Sequence, residues 1–230
     1  MRLLTWNACK GQFDRKVPLL DHLGADVAII QEIASPNVDS KQCVWFGDNP
    51  NQGLAVMAKE PFTLRAIEPL CDVPKYIIPV AIEGPISFVL FAVWTLGEQP
   101  MRYVRAVATA IDIYASTFAQ HQVVMLGDFN SNAIWDKDHP ANLNHSSVVS
   151  RLEEHGLVSA YHHQRGEAQG QEKEATFYLH WNERKPYHID YCFLPRQWST
   201  GITLVEVGSF KTWKEHSDHR PLLVEFQPEA

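Results

Sequence analysis

The run Val123-Val124-Met125-Leu126-Gly127-Asp128-Phe129-Asn130 decides how this chain is read. Its apolar half reads as a buried strand, and the strand stops at a glycine, an acid and an amide. Asp128 and Asn130 stand two residues apart, so on extended backbone they leave the sheet on the same side. That placement suits an acid that orients a water and an amide that donates to a phosphoryl oxygen. Gly, Asp and Asn also close ordinary turns. What lies on either side of the run separates the two readings.

Short apolar runs recur along the chain, at 2–6, 26–33, 43–46, 54–58, 77–82, 86–93, 191–194, 202–207 and 221–226. They are rich in Val, Ile, Leu and Phe and read as buried strands. Three segments carry helical spacing. Residues 14–23 place Val17, Leu20 and Leu23 on one face, open on Asp14 and stop at Gly24. Residues 100–120 carry Val104, Val107, Ala108, Ile111, Ala115 and Phe118 on one side, with Pro100 in the first turn. Residues 146–155 turn Val148, Val149 and Leu152 inward and stop at Gly156. About ten strands against three helices is too much sheet for a doubly wound fold and too much helix for a plain β-sandwich. Two packed sheets covered by helices follow, with strand ends from both meeting along one edge.

With 230 residues, 45% of them hydrophobic, one domain over 1–230 is expected. No Pro/Gly/Ser-rich linker divides it, and the most polar stretch, 164–174, is short enough to be a surface loop. Lys and Arg total 20 against 27 Asp and Glu, a net charge of −7, which excludes the broad basic surface of a strong non-specific nucleic-acid binder. A carboxylate-rich metal site contributes to that count, and its cation would reverse the local field. Basic groups remain at Arg102 and Arg105, Arg184 and Lys185, and Lys211 and Lys214, with Tyr103, Trp181 and Trp213 nearby. The four cysteines lie far apart with no C-x-x-C pair, which predicts reduced, mostly buried thiols. With no signal-peptide pattern and no apolar stretch long enough for a bilayer, a cytoplasmic protein with no membrane association is expected. No obligate protein partner is evident.

Four further signatures stand at the edges of apolar runs: Thr5-Trp6-Asn7, Gln31-Glu32, Ile189-Asp190-Tyr191 and Ser217-Asp218-His219. Glu32 ends the run 27–31, where an unpaired carboxylate is costly unless it is protonated, paired or bound to a metal. A hard cation such as Mg²⁺ suits an oxygen ligand of this kind, and a solvated strand-end acid is the plainer alternative. Asn7 serves equally as a turn or cap residue. Asp218 and His219 set an acid beside an imidazole just before a buried strand. His219 could neutralise charge on a pentacovalent transition state or protonate a leaving oxygen, with Asp190 fixing its orientation. Eleven histidines invite zinc, but no H-E-x-x-H or comparable ligand spacing appears.

Taken in this order, the signatures resemble those of the endonuclease/exonuclease/phosphatase superfamily, which includes pancreatic-type deoxyribonucleases, exonuclease III-like abasic-site nucleases, sphingomyelinases and inositol polyphosphate 5-phosphatases. The resemblance runs from Thr5 to Pro221, and Thr176-Phe177 also fits it. It implies a four-layer α/β sandwich, two mainly antiparallel sheets flanked by helices, hydrolysing a phosphoester with Mg²⁺ or Mn²⁺. It further implies Glu32 as principal metal ligand with Asn7 and Asp218 completing the metal region. Asp128 would activate the attacking water, Asn130 would bind the scissile phosphate, and Asp190 with His219 would stabilise the transition state. One position departs from the pattern: where many members carry a His, or a Tyr with Asn, after the strand equivalent to 86–93, this chain reads Trp94-Thr95. Trp94 then packs on a base or sugar, or belongs to the core, and Thr95 offers one hydrogen bond. His188, Tyr103 or His162 are the substitutes for leaving-group protonation.

Three functions follow from these residues. The first is a Mg²⁺-dependent nuclease cleaving phosphodiester bonds in nucleic acid. The second is a phosphatase or phosphodiesterase for a small soluble phosphoester, which the acidic balance favours. The third is a non-catalytic binding protein that keeps the fold, expected only if central positions were lost, and all seven are present.

Overall fold

The computed structural model describes residues 1–36 and 42–228. Its strands are β1 (Arg2–Asn7), β2 (Val27–Ile33), β3 (Cys43–Asn49), β4 (Gln52–Ala58), β5 (Thr63–Ala66), β6 (Ile77–Glu83), β7 (Phe88–Trp94), β8 (Val123–Asp128), β9 (Leu157–Ser159), β10 (Phe177–Tyr178), β11 (Pro186–Tyr187), β12 (Asp190–Pro195), β13 (Ile202–Val207) and β14 (Leu222–Phe226). The helices are α1 (Phe13–Lys16), α2 (Val104–Ile113), α3 (Ala115–Gln120), α4 (His145–Glu154), α5 (Ala160–Arg165), α6 (Arg196–Ser199) and α7 (Phe210–Trp213). Two six-stranded sheets form, in the orders β13-β14-β1-β2-β4-β3 and β5-β6-β7-β8-β12-β9, with β10 and β11 as a separate hairpin. Each sheet is antiparallel except for one internal parallel pair, β1 with β2 and β7 with β8.

Side chains on alternate strand positions sort into layers. Leu3, Ile29 and Val56 from the first sheet meet Val80, Leu90, Val124, Leu126 and Cys192 from the second in the central core. The outer face of the second sheet, with Phe91, Met125 and Phe193, packs on Val107, Ile111, Phe118 and Leu152 of α2, α3 and α4. The outer face of the first, with Leu4, Trp6 and Ile30, packs on Leu20 and Trp213. The result is a four-layer α/β sandwich. Among the described residues, no helix is long and apolar enough to cross a membrane.

The same alternation places the polar ends. Val124 and Leu126 face the other sheet, so Asp128 does too, and the same count carries Cys192 to Asp190 and Leu3 to Asn7. Asp190 and Asp128 are direct cross-strand partners, and Trp94 lies beside Asp128 on the other side. Gly127 makes the packing possible. Its φ is +144°, and a Cβ there would stand 2.0 Å from the Val93 carbonyl oxygen, so no side chain fits.

Three local expectations are corrected. The helix over 100–120 is two helices divided at Tyr114, and it opens at Val104, leaving Pro100 in the preceding loop. The helix over 14–23 is one α turn followed by a 3₁₀ stretch, Val17–Leu23, because Pro18 has no N–H to continue the α ladder. β5, β9, β10 and β11 were not expected, since they are two to four residues long and too short to show a hydrophobic period.

Gly127→Ala should lower stability by at least about 2 kcal/mol more than Gly156→Ala, because Gly156 also has a positive φ, +79°, but open space around it. Urea midpoints measure this, and equal losses in the two variants would contradict it.

Candidate active site

Glu32 needs a special device to reach the shared edge. On a regular strand it would point away from Gln31. Instead the register of β2 against β4 shifts between Gln31 and Ile33, and Glu32 adopts a left-handed backbone with φ of 56°. Gln31 stays inward, where its Nε2 donates to Thr5 Oγ1 at 2.9 Å and to the Val93 carbonyl at 3.1 Å, tying the two sheets together. Glu32 accepts from Asn7 Nδ2 at 3.3 Å and from Gln52 Nε2 at 3.1 Å. Asn7 Nδ2 also donates to Asp128 Oδ2 at 3.0 Å, so one amide bridges two carboxylates, while its Oδ1 accepts from the Cys9 N–H.

Asp128 is fully buried and accepts from the Asn130 backbone N–H at 2.9 Å and from Asn130 Nδ2 at 3.0 Å. Asn130 has φ of 47° and also donates to the Thr95 carbonyl at 3.1 Å. Its amide hydrogens therefore hold Asp128 in place. Burial, and then the neighbouring Asp190, push the Asp128 carboxyl up to about 7, against the opposing pull of His219 and the amide donors. Asp190 is aimed by Thr176, whose Oγ1 accepts the Ile189 and Asp190 N–H groups, each at 3.0 Å. His219 Nδ1 donates to Asp190 Oδ2 at 2.9 Å, and His219 Nε2 faces Asp128 Oδ2 at 4.0 Å. Burial alone would lower the His219 pKa, but Asp190 and Asp128 together outweigh it and raise it to about 9. The two carboxylates thus favour the imidazolium form of the ring.

The loop before β14 is clamped from several directions. Ser217 Oγ donates to the Asn7 carbonyl at 2.7 Å and accepts the His219 N–H at 2.9 Å. The buried Arg220 lies between the rings of Tyr178 and Phe210 and donates from Nη1 to the Ser217 and His219 carbonyls, at 2.7 and 2.8 Å. Lys16 Nζ joins the Ala8 and His216 carbonyls, locking the loop after β1 to the loop that carries Asp218. The Cys9 thiol is pushed up to about 12 by burial first, then by Asp218, to which it hydrogen-bonds, and by Glu32. Cys9 thus marks the space that Glu32 and Asp218 share. Gln52, Lys16, Arg220 and Cys9 carried no signal in the sequence, since each is recognisable only by what the fold sets beside it.

Three carboxylates, Asp128, Asp190 and Asp218, thus act on the His219 ring, and Glu32 joins the group through the Asn7 amide that it shares with Asp128. Ligand atoms of Asp128, Asp190 and His219 all lie within 4.8 Å of one another, and Asp190 Oδ1 is buried with no hydrogen-bond partner. Excess negative charge on hard oxygen donors fits a divalent cation. Glu32 borders this group, its two carboxylate oxygens accepting from Asn7 and Gln52.

Beside Asn130 opens a cleft of about 500 Å³, lined by Arg102, Tyr103, Arg105, Trp135 and Phe177. Phe177 also packs its ring 4.7 Å from that of His219, joining cleft to centre. Of the residues expected to touch substrate, Tyr103 lines this cleft. Trp94 and Thr95 do not: they are 6% and 2% exposed, Trp94 packs at a tilt against Tyr76 and Thr95 Oγ1 donates to the Phe129 carbonyl, because they complete the end of β7. His188 and His162 belong to a buried network behind β12 and do not line the cleft.

That network corrects the reading of 164–174 as a plain surface loop. Glu172, with only 4% of its side chain exposed, accepts from Asn132 Nδ2 at 3.1 Å and pairs with His162 Nε2 at 2.9 Å. His145 joins Ser131 Oγ at 2.9 Å and Gln169 Oε1 at 3.1 Å. The stretch is polar because it satisfies buried groups beneath Ser131 and Asn132, next in chain to Asn130. Burial lowers the His145 pKa to about 4. A buried neutral histidine favours the folded state above the unfolded pKa near 6.5, and this contribution is lost as pH falls toward 4. His145→Gln should therefore flatten the acid limb of stability against pH by on the order of 1.4 kcal/mol per pH unit between those values. Urea titrations at stepped pH measure it, and parallel limbs would contradict it.

No family model matches the sequence, and no curated protein matches it by sequence. Solved structures do match in three dimensions. A 3′ phosphatase, NExo, from Neisseria bound to product DNA hairpin aligns with TM-score 0.71 and 17% identity over 99% of each chain. The 3′-5′ exonuclease NExo from Neisseria meningitidis gives 0.71 and 18%, over 99% of this chain and 100% of that one. An AP endonuclease from Archaeoglobus fulgidus gives 0.71 and 16% over 99% of each. This chain therefore shares the fold of these two nucleases and this 3′ phosphatase.

Proposed function

We propose that this protein is a divalent-metal-dependent phosphoesterase that cleaves phosphodiester bonds in nucleic acid. The observation that carries the reading is the facing of Asp128 by the His219–Asp190 pair, at 4.0 Å, beside an aromatic and cationic cleft. Asp128, aimed by Asn7 and Asn130, takes a proton from the attacking water; its raised pKa makes it an effective base near neutrality. His219, held as imidazolium by Asp190, places positive charge and an N–H donor where a pentacovalent phosphorus builds negative charge. Both hydrogens of the Asn130 amide are engaged, so Asn130 acts here as a positioning residue. Glu32 and Asp218 would hold a Mg²⁺ or Mn²⁺ ion, which would supply Lewis-acid polarisation of a phosphoryl oxygen.

The structural neighbours support a nucleic-acid substrate, since one is a 3′ phosphatase bound to product DNA and another an AP endonuclease. The cleft volume, about 500 Å³, also suits a small phosphoester, and a substrate panel separates the two readings. With purified protein and Mg²⁺ or Mn²⁺, nicked, abasic and single-stranded DNA and RNA should be cleaved in preference to small mono- and diesters. Asp128→Asn and His219→Gln should each lower kcat by roughly 10² to 10⁴ with little change in unfolding midpoint. Turnover confined to small esters would remove nucleic acid as substrate, and variants that keep wild-type kcat would remove the catalytic assignment.

A further inference from the structure

We infer that Ser131 is a specificity-determining residue, whose Oγ is held as a hydrogen-bond acceptor toward the cleft and reads a sugar hydroxyl beside the scissile phosphate. This rests on the phosphoesterase reading and deepens it, from the reacting centre to the nucleoside that the phosphate joins. Ser131 follows Asn130 directly, is 6% exposed and lines the cleft. Among the described residues its hydroxyl has one hydrogen-bond partner, His145 Nδ1 at 2.9 Å. A hydroxyl has one hydrogen and two lone pairs, so the use of its hydrogen decides what it offers a ligand.

That use is set from the far end of a chain of hydrogen bonds. Gln169 stands between two rings, its Oε1 3.1 Å from His145 Nε2 and its Nε2 3.2 Å from His162 Nδ1. An amide nitrogen only donates and an amide oxygen only accepts, so His162 Nδ1 is an acceptor and His145 Nε2 carries a hydrogen. Ser159 Oγ donates to the same His162 nitrogen at 2.7 Å. The hydrogen of His162 therefore sits on Nε2, which donates to Glu172 Oε1 at 2.9 Å. Burial alone would raise the Glu172 pKa, but hydrogen bonds led by that from His162 outweigh it and hold it at about 2, so the chain ends on a carboxylate. At the other end burial keeps His145 neutral, which leaves Nδ1 without a hydrogen to accept from Ser131 Oγ. Every link from Ser131 to Glu172 donates in one sense, and the lone pairs of Ser131 Oγ are left for the cleft.

The backbone on either side is fixed. Tyr191 Oη donates to the Ser131 carbonyl at 3.1 Å, and Asn132 Nδ2 donates to Glu172 Oε2 at 3.1 Å and to the His188 carbonyl at 2.9 Å. The rest of the lining names the group that Ser131 meets. Arg102 and Arg105 bring donors suited to phosphate oxygens, and Tyr103, Trp135 and Phe177 bring ring faces. An acceptor among them is mismatched to a phosphate oxygen and matches an O–H. In a nucleotide the donors nearest to phosphorus are sugar hydroxyls, and Ser131 is next in chain to the amide that holds Asp128. Two sources carry such a hydroxyl, the 2′ position of ribose and the 3′ end of a strand.

The test measures binding of 5′-fluorescein strands of one sequence by anisotropy in the Asp128→Asn background, and separately their cleavage by protein with Asp128 in place. The strands are RNA, 2′-fluoro RNA, which keeps the ribose pucker but has no hydrogen to donate, DNA, and DNA ended in a 3′-deoxy nucleotide. Within one of these two pairs the hydroxyl-bearing strand should bind about 3- to 10-fold tighter than its match, and the pair that shows it assigns the hydroxyl. Ser131→Ala should bring that ratio to about 1, with the strand lacking the hydroxyl bound within about twofold of before. Because the ratio is taken within one protein, a general loss of folding cancels from it. Glu172→Gln should shrink the ratio as well, since an amide terminus no longer fixes the direction of the chain. No preference in either pair, or a ratio unchanged in Ser131→Ala, overturns the inference, and a ratio unchanged in Glu172→Gln overturns the chain that orients Ser131. Failure to bind any strand overturns it too. Cleavage without the preference overturns it and leaves the phosphoesterase standing, whereas a Ser131-dependent preference without cleavage supports it and removes the hydrolase.

Discussion

Two buried carboxylates directly opposite one another on neighbouring strands, Asp128 and Asp190, are the constraint on which the rest of this structure depends. Like charges so placed repel, and neither is exposed to water that would screen them. The chain answers with a cation and with donors. His219 sits between the two acids, Asn7 and Asn130 donate to one, and Thr176 orders the backbone of the other. Each compensating group comes from a different segment, so the electrostatics of one pair hold together the ends of β1, β8, β12 and the loop before β14. The remaining excess of negative charge, with Glu32 and Asp218, calls for a cation.

The sandwich supplies the rigidity this requires. Polar side chains end strands whose preceding inward positions are apolar apart from Thr5, which Gln31 satisfies, so the centre rests on a packed core. At Gly127, where β7 comes close to β8, at the register shift that turns Glu32 and at the left-handed Asn130, the backbone departs from regular geometry to complete it. All three lie within the site. Irregular backbone concentrated where side chains must converge is the expected signature of a functional edge.

Much of this was legible in one dimension. Asn7, Asp128 and Asp190 follow from counting alternate residues back into hydrophobic strands, because a period of two fixes the face once one position is known. Glu32 was legible as a candidate ligand through the cost of its burial, but not its direction, since regular alternation turns it the wrong way and only the bulge corrects it. The 164–174 stretch misled, because residues that satisfy each other internally have the same composition as a solvated loop. Trp94 was read either as a contact to a base or sugar or as core, and it is core; Thr95 offers its one hydrogen bond to the Phe129 carbonyl, where the end of β7 needs it. The short hairpin β10–β11 left no periodic trace, yet it supports His219 from beside the cleft.

The centre itself is tested most directly by anomalous scattering from crystals soaked with Mn²⁺ and a product nucleotide. The account predicts a metal peak between Glu32 and Asp218, with the nucleotide phosphate against His219 and its base side in the cleft beside Tyr103 and Phe177. Manganese bound away from these carboxylates, or a nucleotide seated with its phosphate remote from His219, would contradict it.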